Sequence, residues 1–246
     1  MELRTANPAL TSKSFEGMPA LAPGETMTLQ GTVNKTGILL LCVFVTAAWT
    51  WNQVSTSGEL GWSLGIGLIG GLIFGLVTTF KRNWAPVTAP IYALLEGLVI
   101  GGLSAILEMR FPGIAMQAAG MTFGTLFCLL VAYRTGLIRA TENFKLGVVA
   151  ATGGIALVYF VSMILGFFGT GIPFIHESGL IGIGFSLLVV GIAALNLVLD
   201  FDFIESAANQ RVPKYMEWYA AFGLIVTLIW LYIEMLRLLS KLRDRR

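Results

Sequence analysis

Apolar residues collect along the chain in seven long stretches, at about 37–53, 61–80, 88–109, 113–133, 146–169, 179–199 and 218–239. Charges, proline or glycine-rich breaks separate them: Asn52-Gln53, Lys81-Arg82-Asn83, Arg110-Phe111-Pro112, Tyr133-Arg134 and a turn at Pro173–Ser178. As an α-helix rising 1.5 Å per residue, each stretch is long enough to cross ~30 Å of hydrocarbon. The pattern predicts an all-α, polytopic membrane protein. Small residues recur at helix-packing spacing, with Gly67, Gly71 and Gly75 in the second stretch and Gly97 and Gly101 in the third. That spacing lets helix backbones approach closely within lipid, and it predicts packing inside the bundle rather than a dimer seam.

The chain divides into a polar segment 1–36, a membrane bundle 37–240 and a basic tail 241–246. The first segment holds three prolines and three glutamates. It lacks the basic start and 7–15-residue apolar core of a signal peptide. We therefore expect it to be retained and partly disordered.

Composition sharpens the class. Of 246 residues 56% are hydrophobic and only 12% charged, against roughly 25% charged in soluble domains. A net charge of +2, spread in short clusters, leaves no continuous basic face, which argues against nucleic acid as a partner. Cys42 and Cys128 both lie inside apolar stretches and form no disulfide framework or metal spacing. They read as small packing residues.

Basic residues also set an orientation. Three fall in the N-terminal segment, two in the second connection, three in the fourth and two in the sixth, whereas the opposite connections hold only Arg110. The positive-inside rule places the N-terminus and the 81–87 and 134–145 connections in the cytoplasm. Five basic residues from Arg237 to Arg246 oppose this if the seventh stretch crosses fully, so the side of the C-terminus stays open.

Carboxylates within hydrocarbon cost several kcal/mol unless solvated, paired or protonated. Glu96 sits well inside the third stretch, and Asp200, Asp202 and Glu205 follow the sixth. These last three either mark a helix end in solvent or belong to a functional site. Glu234 lies three residues before Arg237, a spacing that suits an ion pair snorkelling at the interface. His176 reads as a solvated loop residue.

These stretches resemble the Bax-inhibitor family, specifically its bacterial branch, over roughly residues 30–240. The similarity is carried by Leu195-Asn196-Leu197-Val198-Leu199-Asp200 and by Ala221-Phe222-Gly223-Leu224 through Leu236-Arg237-Leu238-Leu239. Leu95-Glu96-Gly97-Leu98 and the run from Gln117-Ala118 to Thr122 add to it. The resemblance implies six helices around a central seventh, residence in a bacterial inner membrane, and a pH-sensitive calcium leak. In eukaryotes the family is associated with suppression of cell death. It further implies a proton sensor made of an aspartate at the end of the sixth helix and another in the seventh, with a basic latch near the end of the second. The first aspartate falls on Asp200, flanked by Asp202, and the latch on Arg82. The second falls on Thr227, whose hydroxyl cannot share a proton as a carboxyl does. Glu96, at a comparable depth, is the substitute we expect.

The leading reading is therefore a proton-responsive cation leak in a lipid bilayer, with calcium or another cation as the ion. Oxygen ligands suit such a hard cation. The alternative is a non-transporting regulatory membrane protein with an unidentified protein partner. No cofactor is expected. An enzyme is not expected either, because the chain carries no Gly-x-Gly-Asp or Gly-x-Ser-Gly intramembrane protease motif and no phosphate-binding loop.

Overall fold

The computed structural model describes residues 25–58, 61–169 and 179–245. Among these the chain forms seven α-helices: α1 Leu29–Ser57, α2 Gly61–Phe80, α3 Ala85–Arg110, α4 Ile114–Arg134, α5 Glu142–Phe167, α6 Leu180–Asn209 and α7 Met216–Asp244. All seven coincide with spans long and apolar enough to cross a membrane. The turn expected at Pro173–Ser178, including His176, and most of the polar N-terminal segment lie outside the described residues.

The helices outrun the apolar stretches, and capping chemistry explains where they stop. The first helix begins at Leu29 rather than near residue 37, because the Thr28 side chain accepts from Gly31 N–H and Gly58, at φ 72°, closes the other end. Thr141 caps α5 in the same way through Phe144 N–H, moving its start to Glu142. Glu108 accepts from the Gly113 and Ala115 N–H groups and caps the start of α4, where a carboxylate also suits the helix dipole. The sixth helix continues nine residues beyond Asp200 to Asn209. Asp200, Asp202 and Glu205 are therefore inside a helix rather than after one.

Helix α7 is the axis of the bundle. Helices α1, α3, α4 and α6 pack directly on it, whereas α2 packs chiefly on α3 and α5 on α6. Its side chains Tyr219, Phe222, Ile225, Leu231 and Leu236 are fully buried or nearly so. The outside of the bundle is apolar: Ile69, Leu72 and Leu76 of α2 and Leu157, Phe160 and Met163 of α5 are exposed. Such continuous apolar surface is rare on a soluble monomer and suits contact with lipid.

The glycine spacing serves packing between these helices. A Cβ on Gly67 would fall 2.9 Å from the Leu95 carbonyl oxygen, and one on Gly71 would fall 2.8 Å from Glu96 Oε1, both on α3. Gly75 meets Tyr92, again on α3. On another face of α3, Gly97 and Gly101 lie against the α1 backbone, where a Cβ on Gly101 would come within 2.7 Å of Ala47 Cα. Helix α3 is thus clasped by glycine contacts on two sides.

The residues just before α1 and the last turn of α7 are tied to opposite ends of the bundle. Met27 N–H donates to the Val212 carbonyl at 2.7 Å and Lys214 N–H to the Glu25 carbonyl at 2.9 Å, which straps the N-terminal segment against the α6–α7 connection. At the far end Arg110 pairs with Asp244 at 2.6 Å, and Arg243 donates to the Pro112 carbonyl at 2.6 Å and to Gln117 at 2.8 Å. The seventh helix therefore runs the full height of the bundle and ends beside the α3–α4 turn. Arg237, Lys241 and Arg243 near its end are engaged by protein groups, and the expected basic tail is helical as far as Asp244.

Candidate functional site

Three candidate residues lie at similar depth. Asp200 is nine residues before the end of α6. Thr227 is eleven residues beyond Met216 and Glu96 eleven beyond Ala85, the first residues of α7 and α3. At 1.5 Å per residue these positions are about 14–17 Å from the strapped end of the bundle. Asp200 is 0% exposed and Thr227 3%. The Thr227 hydroxyl donates to the Gly223 carbonyl one turn earlier at 3.3 Å. Glu96 is half-buried, sits against Gly71 of α2, and has the Tyr92 hydroxyl as its hydrogen-bonding neighbour.

Glu96 and Arg82 are joined by a file of aromatic rings that sequence reasoning missed. Arg82 lies in a 3-10 turn, Arg82–Trp84, between α2 and α3. Its guanidinium stands 5.8 Å from the centre of the Tyr219 ring on α7. Tyr219 neighbours Phe222 at 6.4 Å, and Phe222 meets Tyr92 edge-on at 4.9 Å. Tyr92 then leads to Glu96. The signal in the sequence was the presence of aromatics one turn apart in the first part of α7. Only the fold shows that Tyr92 comes to meet them.

Asp202 is engaged differently from Asp200, although only two residues separate them. Its carboxylate pairs at 2.8 Å with Lys145 of α5, whose side chain is 3% exposed. Lys145 also lies 3.5 Å from Glu142. Glu205, one turn on, accepts from the Tyr133 hydroxyl of α4 at 2.6 Å. These contacts join α4, α5 and α6 near the strapped end.

Two further buried carboxylates frame α7. Glu217, 1% exposed, accepts from both the backbone N–H and the hydroxyl of Thr28, each at 3.0 Å, and pairs with Lys35. Sequence reading overlooked this residue because it precedes the last apolar stretch. Glu234 does pair with Arg237, at 2.7 Å. It is not a snorkelling surface group, however. Its side chain is 2% exposed, and Tyr159 of α5 donates to it at 3.0 Å. Beyond it Lys241 is buried and donates to the Gly182 carbonyl and the Ser186 hydroxyl of α6. Thr227 and Glu234 are seven residues apart and so lie on nearly the same face of α7. Cys42 and Cys128 are free thiols. Among the described residues no three His, Cys, Asp or Glu side chains converge as a metal site.

A helical bundle with an apolar exterior and buried charged groups along its central helix is an integral, multi-pass membrane protein. The chain belongs to the Bax inhibitor 1 like family, whose profile matches residues 7–244, nearly its whole length. No curated protein and no solved structure matches it.

Proposed function

We propose that this chain is a proton-responsive cation leak, with calcium as its ion, rather than an enzyme. It works in a bacterial cytoplasmic membrane with its N-terminus inside. The observation that carries this reading is the complete burial of the Asp200 carboxyl on α6, a helix that packs directly on α7. A buried carboxyl changes its interaction with its surroundings by several kcal/mol when it gains or loses a proton. On a helix that packs against the central one, it converts pH into a change in how the helices pack. Arg82, Glu96 and Thr227 are the further members of the sensor, and Asp202 lies on its outer side. Oxygen atoms of Asp, Glu and Thr are suitable passing ligands for a hard cation. A leak requires such sites to be weak enough to release the ion. Calcium release from vesicles containing the purified chain, compared across pH with vesicles containing an inert membrane protein, tests the reading.

A further inference from the structure

Helices α1 and α4 flank an open seam that the rest of the bundle does not fill. Two clefts lie along it, each of about 360 Å³. They meet at Leu40 and together follow α1 from Leu29 to Trp51. The cleft nearer the strapped end runs from Leu29 to Leu40, about 16 Å along the helix, which matches one leaflet of a ~30 Å hydrocarbon core. Its walls are mainly apolar, with Val33, Leu126, Leu130 and Leu224 among them.

Its mouth carries the chemistry. Arg134, at the end of α4, lines the cleft and is exposed. Among the described residues on this wall it is the one basic side chain. The nearby Lys35 is already engaged by Glu217. Glu205 stands on the same wall, half-buried, with one carboxylate oxygen holding the Tyr133 hydroxyl. A carboxylate has about four acceptor positions, so it retains capacity for a second donor. The cleft therefore presents a guanidinium, a carboxylate and a leaflet-deep apolar slot.

We propose that this cleft binds one glycerophospholipid with a zwitterionic, primary-amine headgroup. Its phosphate lies on Arg134, its ammonium on Glu205, and one acyl chain in the slot down to Leu40. The paired charges favour this headgroup over an anionic one, which Glu205 repels. They also favour it over a quaternary amine, which has no N–H to donate.

Gly37 supplies a clean test, because it lines the slot and a Cβ there meets nothing within 4 Å. Gly37→Phe fills the slot without displacing the protein. The purified, delipidated chain would be titrated with phosphatidylethanolamine, phosphatidylglycerol or phosphatidylcholine, reading lipid adducts by native mass spectrometry and the unfolding midpoint in parallel. Phosphatidylethanolamine should bind most tightly and raise the midpoint most. Arg134→Gln should weaken it about tenfold, as expected for loss of a charge-assisted contact. Glu205→Gln should remove the preference among the three headgroups, and Gly37→Phe should abolish the adduct while the lipid-free midpoint stays unchanged. Equal binding of all three lipids by the unaltered chain, or full binding by either Gly37→Phe or Arg134→Gln, overturns the proposal.

Discussion

The Arg82 guanidinium stands 5.8 Å from the centre of the Tyr219 ring, so the connection after α2 is in touch with the central helix. A cation over an aromatic face is worth about 0.5–1 kcal/mol at exposed sites and more when desolvated. If Arg82 acts as a latch, Tyr219 helps to hold it. Tyr219→Leu should then move the pH dependence of ion flux in the same direction as Arg82→Ala. Opposite shifts would separate the ring from the latch.

Asp200 and Arg82 should also be energetically coupled. Asp200→Asn and Arg82→Ala should each alter the flux–pH curve, and the double variant should change it by less than the two single changes added together. Simple additivity would show that the two residues act independently.

Glu96 offers a carboxyl at the depth of Thr227, but its side chain lies towards α2 and Tyr92. Glu96→Gln retains shape and hydrogen bonding while removing titration. It should flatten the pH response of a protein that remains folded, as judged by helicity and gel filtration. Thr227→Asp should displace the response without abolishing it. An unchanged curve for Glu96→Gln would leave that residue a packing contact between α2 and α3.

Much of this architecture was legible in the apolar pattern, for a physical reason. Crossing hydrocarbon demands long apolar helices, so the number of stretches gives the number of spans. Hydropathy senses the solvent around a helix and not its hydrogen bonds. It therefore missed the polar ends of α1, α6 and α7, where Thr28, Lys35, Asp202 and Lys241 sit in helix ends or beside them. Single positions such as Asp200 and Glu96 stood out because a charge in hydrocarbon is conspicuous. Their partners did not stand out. Lys145 with Asp202, Tyr159 with Glu234 and Lys35 with Glu217 are far apart in sequence, and only packing brings them together.

The glycine contacts predict two very different outcomes for similar substitutions. Gly101→Leu must force α3 away from the α1 backbone and should destabilise the protein by at least about 2 kcal/mol. Gly154→Leu, on α5 with nothing within 4 Å of a Cβ, should be tolerated within about 0.5 kcal/mol. Thermal unfolding of both variants in the same detergent checks the contrast.

A full-height α7 predicts that the α4–α5 connection and the end of α7 face opposite sides of the membrane. In a background lacking Cys42 and Cys128, a cysteine replacing Arg139 should react only with reagent that has entered the cell. One replacing Arg245 should react from outside. Labelling of both from the same side would contradict the crossing.

Calcium flux across pH, measured on the unaltered chain beside Asp200→Asn, tests the central claim most directly. Vesicles of one lipid composition would be loaded with calcium and reconstituted at equal protein density. The account predicts release above that of an inert membrane protein, varying with pH for the unaltered chain and much less for Asp200→Asn. Release no greater than the control at every pH, from protein shown to be folded and inserted, would contradict it.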